Sequence, residues 1–352
     1  MKVIRKKSGH FLEEFHPGQV FRHKGGKTIT EGLFNDFTEF NFTTNPLSKN
    51  AEFAKTYGFH GLVCPPGLVM NVVFSQTVED ISENARANLG YTDMKFGAPV
   101  YIGDTLEVET TILNIKPSSK DKDRGVVSVQ STGRNQRGDI VLTFQRAVQV
   151  WKNDIEATVQ EGAAEPAAID VKAWLPAYEK HEIYKAKAYL TRDDSYFEDF
   201  EVGTTIEHSR GRVVTDEHVA LTGKLDNTSQ VHCNQNLIDR NPKKYIGGKL
   251  LVYGGLPFNY ALGLSSADID NNSLGDLIYT SGKHVGPIFV GDTVFVTTEI
   301  RGKEDLEGRP DLGRLITTLR GHKFVRKDED WEKVDVFYLE RELAVKRRSH
   351  YA

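Results

Sequence analysis

Two patterns of apolar and polar positions run along this chain, and each occurs twice. Residues 67–83 and 255–267 are apolar on most faces. That predicts a helix surrounded by protein rather than one with a wet side. Residues 100–112 and 288–300 alternate β-branched and polar positions beside a Gly-Asp pair, which predicts a strand next to a tight turn. The strand pattern continues over 126–130 and 142–150, and again over 315–319 and 334–345. Upstream of each apolar helix, Thr30 and Thr215 precede the acidic residues Glu31, Asp216 and Glu217, as N-caps precede the electropositive first turn of a helix. The class predicted is α+β, one buried helix and an antiparallel set of strands, made twice.

The doubling is visible residue by residue. Glu13, Phe15 and Gly18 return as Glu198, Phe200 and Gly203, an offset of 185. Gly67, Leu68 and Asn71 return as Gly255, Leu256 and Asn259, an offset of 188 that also relates Pro99-Val-Tyr-Ile-Gly-Asp-Thr105 to Pro287-Ile-Phe-Val-Gly-Asp-Thr293. Two copies of one domain therefore fill the chain, 1–151 and 196–352. The segment between them, 152–195, is rich in Ala, Glu and Pro and reads as a linker.

Composition narrows the classes. The chain has 352 residues and a net charge of −4, so no nucleic-acid footprint is expected. Two cysteines, Cys64 and Cys233, cannot form a disulfide framework and suit a reducing compartment. The basic start of the chain lacks a following apolar run, and the most apolar stretch, 62–74, is cut by Pro65, Pro66 and Gly67. No secretory signal and no membrane span are expected, hence a cytoplasmic protein. Ligand clusters with metal-site spacing, G-x-S-x-G and the P-loop are missing from the sequence, so no metal, serine-hydrolase or nucleotide-triphosphate chemistry is expected. Homo-oligomerisation is left open.

The remaining motifs resemble those of the MaoC-like, R-specific enoyl-CoA hydratases. That family carries D-x-N-P-x-H before the buried helix and F-x-x-P-V-x-x-G-D-T in the next strand. Here Phe96, Pro99, Val100, Gly103, Asp104 and Thr105 match the second pattern, as do Pro287, Gly291, Asp292 and Thr293 in copy two. The run Leu221-Thr-Gly-Lys-Leu-Asp226-Asn227-Thr-Ser-Gln-Val-His232 resembles the mesaconyl-CoA hydratases in particular. The resemblance implies a double hot-dog fold. It implies an acyl-CoA hydratase/dehydratase that reversibly adds water to an enoyl-CoA double bond, taking mesaconyl-CoA (2-methylfumaryl-CoA) to β-methylmalyl-CoA. No cofactor is implied beyond the coenzyme A of the acyl-CoA substrate.

Hydration needs a base for water, an acid for the α carbon and N–H groups facing the thioester oxygen. By resemblance His232 is the acid–base residue. Copy one has Ser48 at that position and Thr43 at the family's aspartate, so it is expected to bind substrate rather than to turn it over. The position five before His232 is Asn227, with Asp226 one residue further. Either is a candidate partner: Asp226 as a second acid–base group, or Asn227 as the residue that positions water. Copy one carries the family's His-Gly-Leu turn as His60-Gly61-Leu62, and its counterpart Gly247-Gly248 makes Gly248 the candidate oxyanion donor. Asp104 and Asp292 read as structural members of their turns. Arg210, Arg212 and Arg240 flank the active copy as unranked candidates for an acidic acyl tail. A thioesterase or a non-catalytic acyl-CoA module shares such a fold. The Asp-Asn…His run favours hydration over the first, and retention of His232 over the second.

Overall fold

The computed structural model describes residues 7–179 and 181–352. The first six residues of the basic start, read above as no signal, lie outside the described residues. Copy one comprises β1 (Val20–Arg22), β2 (Lys27–Thr28), α1 (Glu31–Glu39), α2 (Ala51–Thr56), α3 (Pro66–Gln76), β3 (Ala85–Phe96), β4 (Thr105–Pro117), β5 (Arg124–Asn135) and β6 (Ile140–Trp151). The linker adds β7 (Gly162–Ala163) and α4 (His181–Lys185). Copy two repeats the order with β8 (Thr205–Glu207), β9 (Arg212–Val213), α5 (Glu217–Lys224), α6 (Gln235–Arg240), α7 (Gly255–Ile269), β10 (Ser273–His284), β11 (Thr293–Asp305), β12 (Leu312–Lys327) and β13 (Asp330–Lys346), and α8 (Arg348–Tyr351) closes the chain.

The strands join in one antiparallel sheet, with β1-β4-β5-β6-β3-β10-β13-β12-β11-β8 as its main path. The copies meet where β3 pairs with β10, Tyr91 opposite Gly282 and Met94 opposite Tyr279. The alternation pattern did not reveal β3 and β10. Both are interrupted by bulges, at Asn88/Gly90 and Thr92/Lys95 in β3 and at Asp276/Ile278 in β10, which shift the in-out phase of the side chains.

Each copy wraps its sheet around α3 or α7, and these two helices share one apolar core with Leu68, Val72, Leu256 and Phe258. The repeated Gly and Asn of the sequence explain their approach. A Cβ on Gly67 would overlap the Asn259 amide, and one on Gly255 would overlap that of Asn71. The copy-one helix is shorter than its apolar pattern and passes into a π-turn, Val78–Ser82. Thr30 caps α1 as expected, accepting the Leu33 N–H at 3.2 Å. Thr215 does not cap α5; its hydroxyl donates to Glu217 at 2.8 Å.

Two polar features recur in both copies and hold the fold. His23 bridges Asp80 and Thr110 at 2.7 and 2.8 Å, and His208 bridges Asp268 and Thr298 at the same distances. Asp104 and Asp292 accept the backbone N–H groups of Tyr101 and Phe289 at 2.9 and 2.8 Å, closing their turns, with Gly103 and Gly291 at φ 93° and 92°. The linker lies on the surface of both copies: Ala167 exchanges hydrogen bonds with Gln130 and Trp174 packs edge-on against Phe59 in copy one, and Tyr178 donates to the His350 carbonyl in copy two at 3.1 Å.

Candidate active site

The loop between α5 and α7 carries His232 on a single 3-10 turn, Gln230–His232. Its Nδ1 lies 2.8 Å from the Leu251 carbonyl oxygen. A carbonyl can only accept, so Nδ1 holds the proton and Nε2 keeps a free lone pair. The ring packs against Tyr253, 5.5 Å between centroids. Burial lowers its pKa to about 4, and the nearby His218 acts in the same direction. At neutral pH it is an uncharged base.

His232 lines a cavity of about 270 Å³ between the two copies. Copy two supplies Asn227, Ser229, Tyr253, Gly254 and His284; copy one supplies Phe74, Ser82, Asn88, Tyr91 and Arg146. A pseudo-equivalent cavity of about 110 Å³ forms around Thr43, Asn45 and Ser48, where linker residues Ala173 and Trp174 also line the wall. Ser48 donates to the Val63 carbonyl at 2.7 Å, as His232 does to Leu251. The alignment of Ser48 with His232 is thus a shared position in space, with a hydroxyl where the imidazole stands.

Asp226 is directed elsewhere. It takes a left-handed conformation, φ 59°, as Phe42 does at the same place in copy one, φ 57°. Its exposed carboxylate pairs with Lys27 at 2.5 Å, and it is not among the residues lining the cavity. The left-handed turn that suits an Asp backbone directs its side chain outward. Asn227 is buried and does line the cavity, with Oδ1 accepting the Ser229 N–H at 3.1 Å. The structure therefore brings Asn227, and not Asp226, into the cavity with His232.

Gly248 also departs from expectation. It sits at φ 60° outside the cavity, and its N–H is already donated to the Tyr245 carbonyl at 3.1 Å. It serves a turn. Gly254, N-cap of α7, lines the cavity instead, and its N–H has no protein acceptor among the described residues. A Cβ there would lie 2.8 Å from the His284 ring, so only glycine fits beside it without a shift.

Sequence reasoning missed Gly254, His284, Tyr253 and Arg146. His284 is held at 3.0 Å by the Tyr91 hydroxyl, and burial lowers it to about 4. Arg210, Arg212 and Arg240 do not line the cavity; Arg212 stacks over Phe42 and Tyr260. Two arginines of the other copy do line it, Arg86 and Arg146; Arg86 is exposed and Arg146 is buried. A signal was present: at the offset of 188, Ser82 and Asn88 stand against Asp270 and Asp276.

Residues 2–324 match the family described as Mesaconyl-CoA hydratase. A β-methylmalyl-CoA dehydratase of Chloroflexus aurantiacus is 35% identical over 312 residues, 87% of this chain and 86% of that protein. A MaoC domain protein dehydratase structure from Chloroflexus aurantiacus superposes with a TM-score of 0.88 at 31% identity, covering 98% of this chain and 100% of the other. A Mycobacterium tuberculosis protein with a double hotdog fold superposes at 0.76 with 20% identity, covering 96% and 98%. The fold is the α+β double hot-dog that the resemblance implied.

Proposed function

We propose that this chain, which belongs to the mesaconyl-CoA hydratase family, reversibly adds water to the double bond of mesaconyl-CoA to give β-methylmalyl-CoA. The observation that carries this reading is His232: an imidazole locked through Nδ1, with Nε2 free in a cavity built by both copies. Asn227 orients a water. His232 Nε2 takes its proton as the oxygen bonds to the β carbon and the π electrons move onto the thioester oxygen. The Gly254 N–H, at the positive end of α7, stabilises that enolate. The imidazolium then returns its proton to the α carbon. An amide cannot exchange protons, so His232 serves both transfers. Coenzyme A enters as part of the substrate, and no further cofactor takes part. Among the described residues no helix is long and apolar enough to cross a membrane, and we place the chain in the cytoplasm.

Incubation with mesaconyl-CoA tests the reading. Loss of the enoyl-thioester absorbance without release of free thiol is expected. Release of thiol would instead make the chain a thioesterase, and no change would make it a binder or leave the acyl group wrong.

A further inference from the structure

The two cavities share one plan and differ in charge. In the smaller, Arg341 is 2% exposed and held by two carboxylates: Nη1 donates to Asp270 at 2.8 Å, Nη2 to Asp276 at 3.1 Å, and Nε also to Asp276. In the larger, Arg146 occupies the matching site, opposite Tyr91 on β3 as Arg341 is opposite Tyr279 on β10. It too is 2% exposed, yet Ser82 and Asn88 stand where the aspartates stood. Its Nη2 donates to Thr77 at 2.8 Å and approaches Ser82 at 3.4 Å, and its Cζ lies 4.2 Å from the Phe74 ring centroid. Among the described residues no carboxylate pairs with it, and Nε has no acceptor. The Asn88 amide, in the same wall, leaves both its oxygen and its nitrogen buried and unpartnered.

A buried cation without a counter-ion is costly, and so is an unpaired buried amide. Both costs fall away if a bound ligand supplies an anion. We propose that Arg146, assisted by Asn88 and Ser82, is a subsite for a free carboxylate at the far end of the acyl chain, so that the cavity selects ω-carboxylated acyl-CoA thioesters over alkyl ones. The side-chain carboxylate of Asp276 in the smaller cavity marks, by pseudo-symmetry, the position the ligand's carboxylate takes beside Arg146. Burial lowers the guanidinium to about 10, which leaves it charged at neutral pH. The inference rests on the acyl-CoA reading of the cavity, but not on turnover.

The test measures calorimetric affinity for succinyl-CoA and butyryl-CoA, which differ by a terminal carboxylate against a methyl. The wild type should prefer succinyl-CoA by about ten- to a hundredfold, the range of a hydrogen bond to a charged group. Arg146→Met should erase that preference while still binding butyryl-CoA. Asn88→Asp guards against a variant that does not fold. It gives Arg146 the internal partner that Arg341 already has, so it should fold and lose the preference as well. Equal affinities in the wild type, or an Asn88→Asp protein that keeps the preference, would overturn the subsite. Binding of neither thioester overturns the acyl-CoA reading along with it. A retained preference without hydration of mesaconyl-CoA would sink the reaction and leave the subsite standing.

Discussion

At the scale of single residues, the proposed chemistry depends on one imidazole with a fixed tautomer. His232→Ala should lower kcat by about 100- to 10,000-fold, the usual worth of general acid–base help, with folding retained. Asn227→Ala removes only an orienting amide and should cost less. Asp226→Asn should cost little, because its carboxylate pairs with Lys27 outside the cavity. An Asp226→Asn loss as deep as that of His232→Ala would mean that the loop rearranges to bring Asp226 in. The pH profile is a second check. His232 acts as base only when neutral, and burial holds it at about 4. The acid limb of kcat/KM should therefore fall near pH 4. A limb near 6.5, the ordinary histidine value, would show that the free enzyme does not bury this ring. The sequence brought this residue to notice through its loop motif. It could not rank Asp226 against Asn227, because one left-handed φ decides which of two neighbours faces inward.

At the scale of elements, the crossing of α3 and α7 brings the repeats together. Gly255→Ala would press a methyl into the Asn71 amide and should destabilise the chain by about 1–3 kcal/mol, as overpacking does. Gly223→Ala in α5 meets nothing within 4 Å and should be neutral or slightly stabilising. Denaturant unfolding of the two variants separates a specific clash from a general effect of alanine. The repeated Gly and Asn were legible as a match between copies. That each glycine accommodates the other copy's asparagine was not, since the contact spans more than half the chain. The β3–β10 seam was not legible at all, because bulges erase the period on which strand reading depends.

At the scale of the molecule, neither copy can make the site alone. A fragment of residues 196–352 would keep His232 but lose Phe74, Asn88 and Arg146 from the cavity wall. It would also expose the β10 edge and the α7 face now covered by copy one. It should be insoluble or inactive. A soluble fragment hydrating mesaconyl-CoA at the wild-type rate would contradict the two-copy cavity. The shared plan fits the proposed division of labour. In the smaller cavity copy one's hydroxyl, Ser48, meets a neutralised arginine of copy two, whereas copy two's His232 loop meets an unpaired arginine of copy one.

The sequence by itself determined the α+β class, the duplication, the Gly-Asp turns and the loop histidine. All of these rest on local periodicity or on short motifs, which survive in one dimension. Only the tertiary structure decided that Asn227 rather than Asp226 joins His232, that Gly254 rather than Gly248 offers a free N–H, and that the buried cation in the cavity is Arg146. Each of those depends on direction, on which way a turn points, which N–H is already spent, and which strand of the other copy lies across the seam. Direction is set by packing between residues far apart in the chain.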